Sequence, residues 1–155
     1  MRRTSGSPPN KFSLTTKTGV AMLTITREFV FSAAHRLHQN KLSFQENRAL
    51  YGKCCNLHGH TYRLRVSVAG ATGASGMIIH FADLKKTVND EIISRYDQKF
   101  LNDLPEFADM PVTAENMVCR IFRVLEASLA AMDIQLKAVT LFETPTSWAT
   151  MTCDA

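Results

Sequence analysis

The sequence predicts one α+β domain with the element order β-β-α-α-β-β, in which an antiparallel four-stranded sheet carries two helices on one face. Two segments near the start and two near the end alternate apolar with polar residues, which is typical of half-buried strands. Two segments between them repeat their apolar residues at intervals of three and four, which indicates helices. Two hairpins that flank two helices favour an antiparallel sheet covered on one side. A chain of 155 residues that is 45% hydrophobic can bury one core of this kind.

The first predicted hairpin brings three histidines together. The first strand runs from Leu23 to His35, and the apolar face of that strand ends in the histidine. The second strand begins with His58, Gly59 and His60, and its two imidazoles point to the same side because side chains alternate along a strand. If the strands pair antiparallel, the end of the first lies beside the start of the second. The three imidazoles are therefore expected at one edge of the buried face, next to a long loop that contains the adjacent cysteines.

The remaining elements follow from the same two periods. A helix is predicted over residues 82–94 and a second over 113–132, with Thr113 as the N-cap of the second. A polar loop over 96–110 joins them. Alternation returns over 136–143, and a last short strand over 147–152 follows a turn that contains proline.

The positive charge of the chain is confined to its start. The formal net charge is +4, but residues 1–21 hold four basic residues and no acid, whereas the rest of the chain is balanced. A neutral domain lacks the one-signed surface of a nucleic-acid-binding protein. No apolar run reaches the ~18 residues that a membrane-spanning helix needs. We therefore expect neither nucleic acid nor membrane as a partner.

Composition also divides the chain into an extension and a domain. Residues 1–21 are rich in Ser, Thr, Lys and Arg, contain Pro8 and Pro9, and show no apolar periodicity. This predicts a disordered basic N-terminal extension, either a leader ahead of Met22 or an organellar transit peptide. Residues 22–155 form the predicted domain. Four cysteines with no secretory signal before them favour a reducing compartment, and we expect a cytoplasmic protein.

The three converging histidines predict a metal site. Three neutral nitrogen ligands leave a zinc ion with its full charge and an open fourth position, as in catalytic zinc sites. Two alternatives remain open. The pair His58 and His60 can be a hydrogen-bonded surface pair, or a structural zinc ion can be held by Cys54, Cys55, His58 and His60, although paired cysteine ligands are usually at least two residues apart.

Five segments together resemble the family of 6-pyruvoyltetrahydropterin and 6-carboxytetrahydropterin synthases. Each motif is weak alone, but they occur in order between Ile25 and Met151. The segments are FSAAHRL from Phe31, KCCNLHGH from Lys53, GMIIHFADLK from Gly76, LND from Leu101 and FET from Phe142.

The resemblance implies a fold and an assembly. Members of that family have the tunnelling fold, in which subunits oligomerise and close their sheets into a barrel, commonly as a hexamer of two trimers with active sites at subunit interfaces. The order β-β-α-α-β-β agrees with that fold, and closure would remove exposed sheet edges.

The resemblance also implies roles for individual residues. It makes His35, His58 and His60 the zinc ligands, and it makes the thiolate of Cys54 the general base, with Asp97 as a second catalytic residue. The implied substrate is 7,8-dihydroneopterin triphosphate, whose triphosphate leaves after proton removal.

Two further residues match the positions in that family that hold the pterin. Glu143 matches the pterin anchor, and it lies on the apolar face of its strand, where an acid needs a partner or a ligand. Thr113 matches a second position that holds the pterin, in addition to its role as a helix cap.

The spacing and three departures from the family pattern bear on activity. Three residues separate Cys54 from His58, which is similar to the bacterial queuosine-pathway enzymes and favours the 6-carboxy product over the alternative 6-pyruvoyl product. Gln98 stands where the family has a histidine beside the aspartate, so a pterin-binding paralogue with weak activity is a third reading.

His80 either supplies the missing imidazole or caps the following helix. Cys55 stands where relatives that make a hydroxymethyl pterin have a glutamate, and a small filler in the loop is the favoured interpretation.

Overall fold

The computed structural model describes residues 22–153, and before them only the backbone pairing of two short strands, β1 (Thr15–Thr16) and β2 (Gly19–Val20). The rest of the extension predicted over residues 1–21 lies outside the described residues, as do the last two residues of the chain.

A five-stranded sheet forms the body of the domain. Its long strands are β3 (Thr24–His35), β4 (His58–Ala69), β6 (Gln135–Thr144) and β7 (Ser147–Thr152), which pair antiparallel in that order. These are the four predicted strands. A fifth strand, β5 (Lys99–Phe100), adds to the free edge of β3 in a parallel sense. The prediction of four strands was wrong on this point, because a two-residue strand is too short to show a period.

The helices differ from the prediction in detail. The helix expected over 82–94 is α2 (Phe81–Val88), followed without interruption by a π-helical turn (Asn89–Ile93) and by α3 (Ser94–Tyr96). The helix expected over 113–132 is α4 (Ala114–Ala130). The cap role of Thr113 is confirmed, because its hydroxyl accepts a hydrogen bond from the backbone N–H of Asn116 at 3.2 Å.

One helix was not predicted. The helix α1 (Phe44–Tyr51) lies in the connection between β3 and β4, and a 3₁₀ turn (Gly52–Cys55) follows it. Its N-terminus is a capping box in which Ser43 and Glu46 exchange side-chain and backbone hydrogen bonds. The connection therefore contains regular helical structure rather than a long loop.

The core lies between one face of the sheet and the helices α2 and α4. Alternate residues of β3 and β4 are buried, as their period predicts, and α4 buries one stripe of apolar side chains against β6 and β7. None of the helices in the described part of the chain has the length and apolar character needed to cross a membrane. The largest fully buried side chains are Tyr62, Tyr96, Phe31, Leu64, Leu84, Ile92, Leu101, Met117, Ile121, Leu125, Leu129 and Leu141.

Candidate metal centre and active site

The three histidines converge as the strand pattern predicts. In the antiparallel register His35 lies opposite His58, and Ala33 lies opposite His60. The three imidazoles each offer a nitrogen, and these nitrogens lie within 4.8 Å of one another. They form a group that could hold a metal ion.

Two backbone carbonyls orient these rings. Nδ1 of His35 donates a hydrogen bond to the carbonyl oxygen of Val112 at 2.8 Å, and Nδ1 of His58 donates one to the carbonyl oxygen of Asn56 at 2.8 Å. With Nδ1 protonated, the lone pair of each ring is on Nε2. Such outer hydrogen bonds are the usual way in which proteins fix the tautomer of a metal-binding histidine.

Two of the inward nitrogens lack a hydrogen bond. Nε2 of His35 and Nε2 of His60 are both buried without a hydrogen-bond partner among the described residues. Burial also lowers the pKa of His35 and the pKa of His60 below the ordinary value, so both rings favour the neutral form that ligates metals. Buried polar atoms are rarely left unpaired, so this donor set fits a metal ion.

Glu143 extends over the same group. Its Oε1 lies 3.6 Å from Nε2 of His35 and 3.8 Å from Nε2 of His60, and its side chain is 29% exposed. The carboxylate therefore sits between the histidines and solvent, at the end of β6. A ligand that it holds would lie directly beside the metal position.

Cys54 lies in the turn that leads into the second histidine strand. It is half-buried in the 3₁₀ turn (Gly52–Cys55), and its backbone carbonyl accepts a hydrogen bond from the N–H of Leu37 at 2.8 Å. This bond ties the turn to the chain that leaves His35. Among the described residues, the group of convergent metal ligands holds histidines alone, so Cys54 and Cys55 lie outside it.

Asp97 and Gln98 form a tight turn against the edge of β3. Oδ1 of Asp97 accepts a hydrogen bond from the N–H of Ser32 at 2.9 Å, and the N–H of Gln98 donates to the carbonyl of Ser32 at 2.7 Å. Gln98 has a φ of 58°, a left-handed conformation that is uncommon outside glycine. Gln98 and His60 line the same open cavity of about 500 Å³.

His80 lies elsewhere and acts as a helix cap, which is the second of its two interpretations. Its Nδ1 accepts a hydrogen bond from the N–H of Ala82 at 3.0 Å at the start of α2. The same helix start is bonded to Arg27, whose guanidinium donates to the carbonyl of Phe81 at 3.0 Å. Arg27 and His35 are eight residues apart on β3, or ~26 Å at the rise of an extended strand. Within one chain, His80 is thus remote from the other three imidazoles.

Sequence reasoning missed the residue that organises the connection before Cys54. The side chain of Asn47 is buried and makes four hydrogen bonds, all to the backbone of Gln39, Leu42 and Ser43. The capping box spaced over Ser43 and Glu46 was the signal that could have revealed α1. Nothing in the sequence marks Asn47 itself as buried.

Comparison with known proteins gives a consistent result. The family model described as 6-pyruvoyl tetrahydropterin synthase matches residues 24–154. The 6-pyruvoyl tetrahydrobiopterin synthase of Dictyostelium discoideum is 42% identical over 115 residues, which cover 73% of this chain and 85% of that protein. The 6-carboxy-5,6,7,8-tetrahydropterin synthase of Haemophilus influenzae is 31% identical over 149 residues, covering 82% and 96%.

A solved structure agrees with these matches. The 6-pyruvoyl tetrahydropterin synthase of Caenorhabditis elegans superposes with a TM-score of 0.79 at 34% sequence identity. The match covers 86% of this chain and 97% of that one.

Proposed function

Because the chain belongs to the 6-pyruvoyl tetrahydropterin synthase family of lyases, we propose that it is a zinc-dependent carbon–oxygen lyase acting on 7,8-dihydroneopterin triphosphate. The observation that carries the proposal is the pair of buried Nε2 atoms of His35 and His60 beside His58, for which the described residues offer no hydrogen bond. Nitrogen atoms held in this way are costly unless an ion or a ligand meets them.

Zinc is the proposed metal, held by the three imidazoles. Three neutral histidines match the ligand set of catalytic zinc, and the ion would acidify the hydroxyl groups and adjacent C–H of the substrate side chain. The carbonyls of Val112 and Asn56 hold two of the rings in position for this role. Glu143 limits access to the metal from the side of β6.

Cys54 is the proposed general base. The turn that carries it is bonded to the chain just after His35, which keeps the backbone of Cys54 close to the histidine strands. The thiolate would take the proton from the carbon next to the hydroxyl, and the electron pair left on that carbon would expel the triphosphate. Asp97 is proposed as a second catalytic residue. Its carboxylate already accepts one N–H from β3 and keeps further lone pairs for a proton donor.

Glu143 is the proposed anchor of the pterin ring. A carboxylate can accept two parallel N–H bonds from the 2-amino-4-oxo edge of a pterin. An anchor within 4 Å of two metal ligands would bring the substrate side chain to the metal. Thr113 is proposed to assist, since the residue before it, Val112, is bonded to His35.

The proposed product is 6-carboxy-5,6,7,8-tetrahydropterin, as in the queuosine pathway; its formation consumes one water, and the two outer side-chain carbons leave as acetaldehyde in addition to the triphosphate. The three-residue gap between Cys54 and His58 supports this choice, because that spacing is similar to the bacterial queuosine-pathway enzymes. A second candidate is the 6-pyruvoyl product. It is supported by overall similarity, since the relative with the pyruvoyl name is the more identical of the two compared.

We also propose that the active protein is an oligomer, specifically a hexamer of two trimers. The sheet leaves one side of β7 and most of the outer edge of β3 without a strand partner among the described residues. Unpaired edges of this length are usually covered in native proteins. Light scattering on the purified protein tests this assembly, and a monomer would contradict it.

One incubation tests the reaction. The purified, zinc-loaded protein is mixed with 7,8-dihydroneopterin triphosphate, and the pterin product is identified by mass. A carboxy product supports the leading proposal, whereas a pyruvoyl product supports the second. Tight pterin binding without turnover would indicate a paralogue with weak activity, in agreement with the glutamine at position 98.

A further inference from the structure

Tyr62 carries a buried hydroxyl group that nothing in the core requires. The residue is 0% exposed, and its hydroxyl oxygen has no hydrogen-bond partner among the described residues. Its ring stacks on Phe31 with centroids 5.1 Å apart. A phenylalanine would fill the same space without the cost of burying an unpaired hydroxyl group, which is of the order of 1–3 kcal/mol.

The position of Tyr62 links it to the proposed site. It follows His60 by two residues on β4, so both side chains lie on the same face, and its ring centroid is 5.5 Å from that of His60. Arg63 pairs with Phe142 across β4 and β6, and Tyr62 and Glu143 are the next residues beyond this pair, where β6 is irregular. Both side chains lie beside His60, since Oε1 of Glu143 is 3.8 Å from Nε2 of that histidine.

The charge of Glu143 acts on the phenol. Burial and that negative charge both raise the pKa of Tyr62 above its ordinary value. A neutral phenol O–H is a hydrogen-bond donor. The carboxylate of Glu143 has lone pairs beyond the two that a pterin edge would use, so it can accept a third donor.

We propose that Tyr62 is a positioning residue that donates a hydrogen bond to the carboxylate of Glu143 when the pterin is bound. The inference rests on the proposed function, because it gives Glu143 a pterin to hold. In the structure the carboxylate leans toward His35 and His60. A hydrogen bond from the buried hydroxyl group of Tyr62 would turn the carboxylate away from these rings and hold its plane for two parallel N–H bonds. The stacking on Phe31 keeps that donor in one place.

Tyr62→Phe tests the proposal because it removes only the hydroxyl group. The probe is 7,8-dihydroneopterin, which has no triphosphate to eliminate, and its binding is followed by fluorescence. We expect Kd to rise about tenfold, in line with the loss of a hydrogen bond to a charged group. The melting temperature should not fall and the metal content should stay as in the wild type. In turnover assays KM should rise while kcat changes little.

Tyr96→Phe is the matched control. Tyr96 is equally buried and contacts the same Phe31, but its phenol lies near Glu106 and its other ring contact is with Phe107, whereas the ring of Tyr62 contacts His35 and His60. We expect Tyr96→Phe to leave the pterin Kd unchanged. In the background of Glu143→Gln, Tyr62→Phe should change Kd by less than about twofold, because positions that act through one another are not additive.

Two results would overturn the proposal while the proposed function stands. They are an unchanged Kd in Tyr62→Phe, and loss of metal from that variant. If wild-type protein with bound metal does not bind the pterin at all, the proposed function fails and the role of Tyr62 fails with it.

Discussion

Histidines at the two ends of the sheet differ in how their ring nitrogens are bonded. At one end the ring nitrogens of His35, His58 and His60 converge, and two of the Nε2 atoms have no hydrogen-bond partner in the described part of the chain. At the other end, Nδ1 of the exposed His80 accepts a hydrogen bond from the backbone N–H of Ala82 in the first turn of α2. The residue type is the same, but the first group has buried ring nitrogens that are available to ligate a metal, whereas the ring nitrogen of His80 is used in the helix cap.

The difference shows which observation identifies a functional histidine. A histidine whose nitrogen is satisfied by its own backbone neighbourhood stabilises local structure. A histidine held by an outer carbonyl, with its inner nitrogen bare, is prepared for a ligand. Four experiments test this contrast, and they are given from the largest expected effect to the smallest.

The double substitution His58→Ala with His60→Ala removes two of the three convergent nitrogens. We expect bound metal to fall from one ion per chain to nearly none, because one histidine cannot retain a zinc ion. Metal analysis of protein purified without chelators measures the effect. As a control, Cys54→Ala with Cys55→Ala should keep the metal. Metal that stays in the histidine variant and leaves the cysteine variant would indicate the structural zinc site instead.

The substitution Cys54→Ala removes the proposed base beside the histidine end. We expect kcat to fall by about 10²–10⁴-fold, the usual contribution of a positioned acid or base, while metal content is unchanged. Cys55→Ala is the matched control, since neighbouring residues in a turn direct their side chains to different sides, and it should remain close to wild type. If Cys55→Ala alone abolishes turnover, the roles are reversed and a hydroxymethyl product gains support.

The substitution Gln98→His places an imidazole in the cavity that His60 also lines. We expect kcat to rise by about tenfold, a small part of what general acid–base catalysis supplies, with little change in pterin affinity. Steady-state kinetics on the triphosphate substrate measure it. A wild-type enzyme that already turns over at an ordinary rate and does not respond to this change would show that another group carries the proton.

The substitution His80→Ala removes the cap at the remote end. We expect a loss of about 1 kcal/mol in the free energy of unfolding, and a fall of about 2–4 °C in Tm, with metal content and kcat unchanged. His80→Asn restores a capping side chain and should recover most of the stability. A selective loss of kcat in His80→Asn would contradict the contrast between the two ends, because His80 would then act in catalysis.

The parts of the site carried by regular strands could be predicted from sequence. A period of two sets which side chains share a face, and antiparallel pairing then places His35 beside His58. The carbonyls of Val112 and Asn56 could not be foreseen, since every residue carries a carbonyl group and only the fold selects which one faces a ring. The unpaired hydroxyl group of Tyr62 could not be predicted for the same reason, because only the packed core shows that the described residues offer it no hydrogen-bond partner.

Short elements were the weak point of the fold prediction. The strand β5 has two residues, and the eight-residue α1 exposes Phe44 and Leu50 rather than burying an apolar stripe. Neither element offers enough periods for a pattern to show. The turn at Gln98 was equally hard to foresee, since glutamine has no special preference for positive φ.

The pairing of His35 with His58 also has a consequence for the order of folding. All three convergent imidazoles belong to a single hairpin, and Gly59 allows its strands to meet closely, since a Cβ there would lie 3.2 Å from the carbonyl oxygen of Ala33. The three imidazoles are therefore all in place once β3 and β4 pair, which requires the closure of one connection. Glu143 joins them only when the distant β6 pairs with β4. An ion bound by the three histidines would stabilise the pairing of β3 with β4 without any contribution from β6.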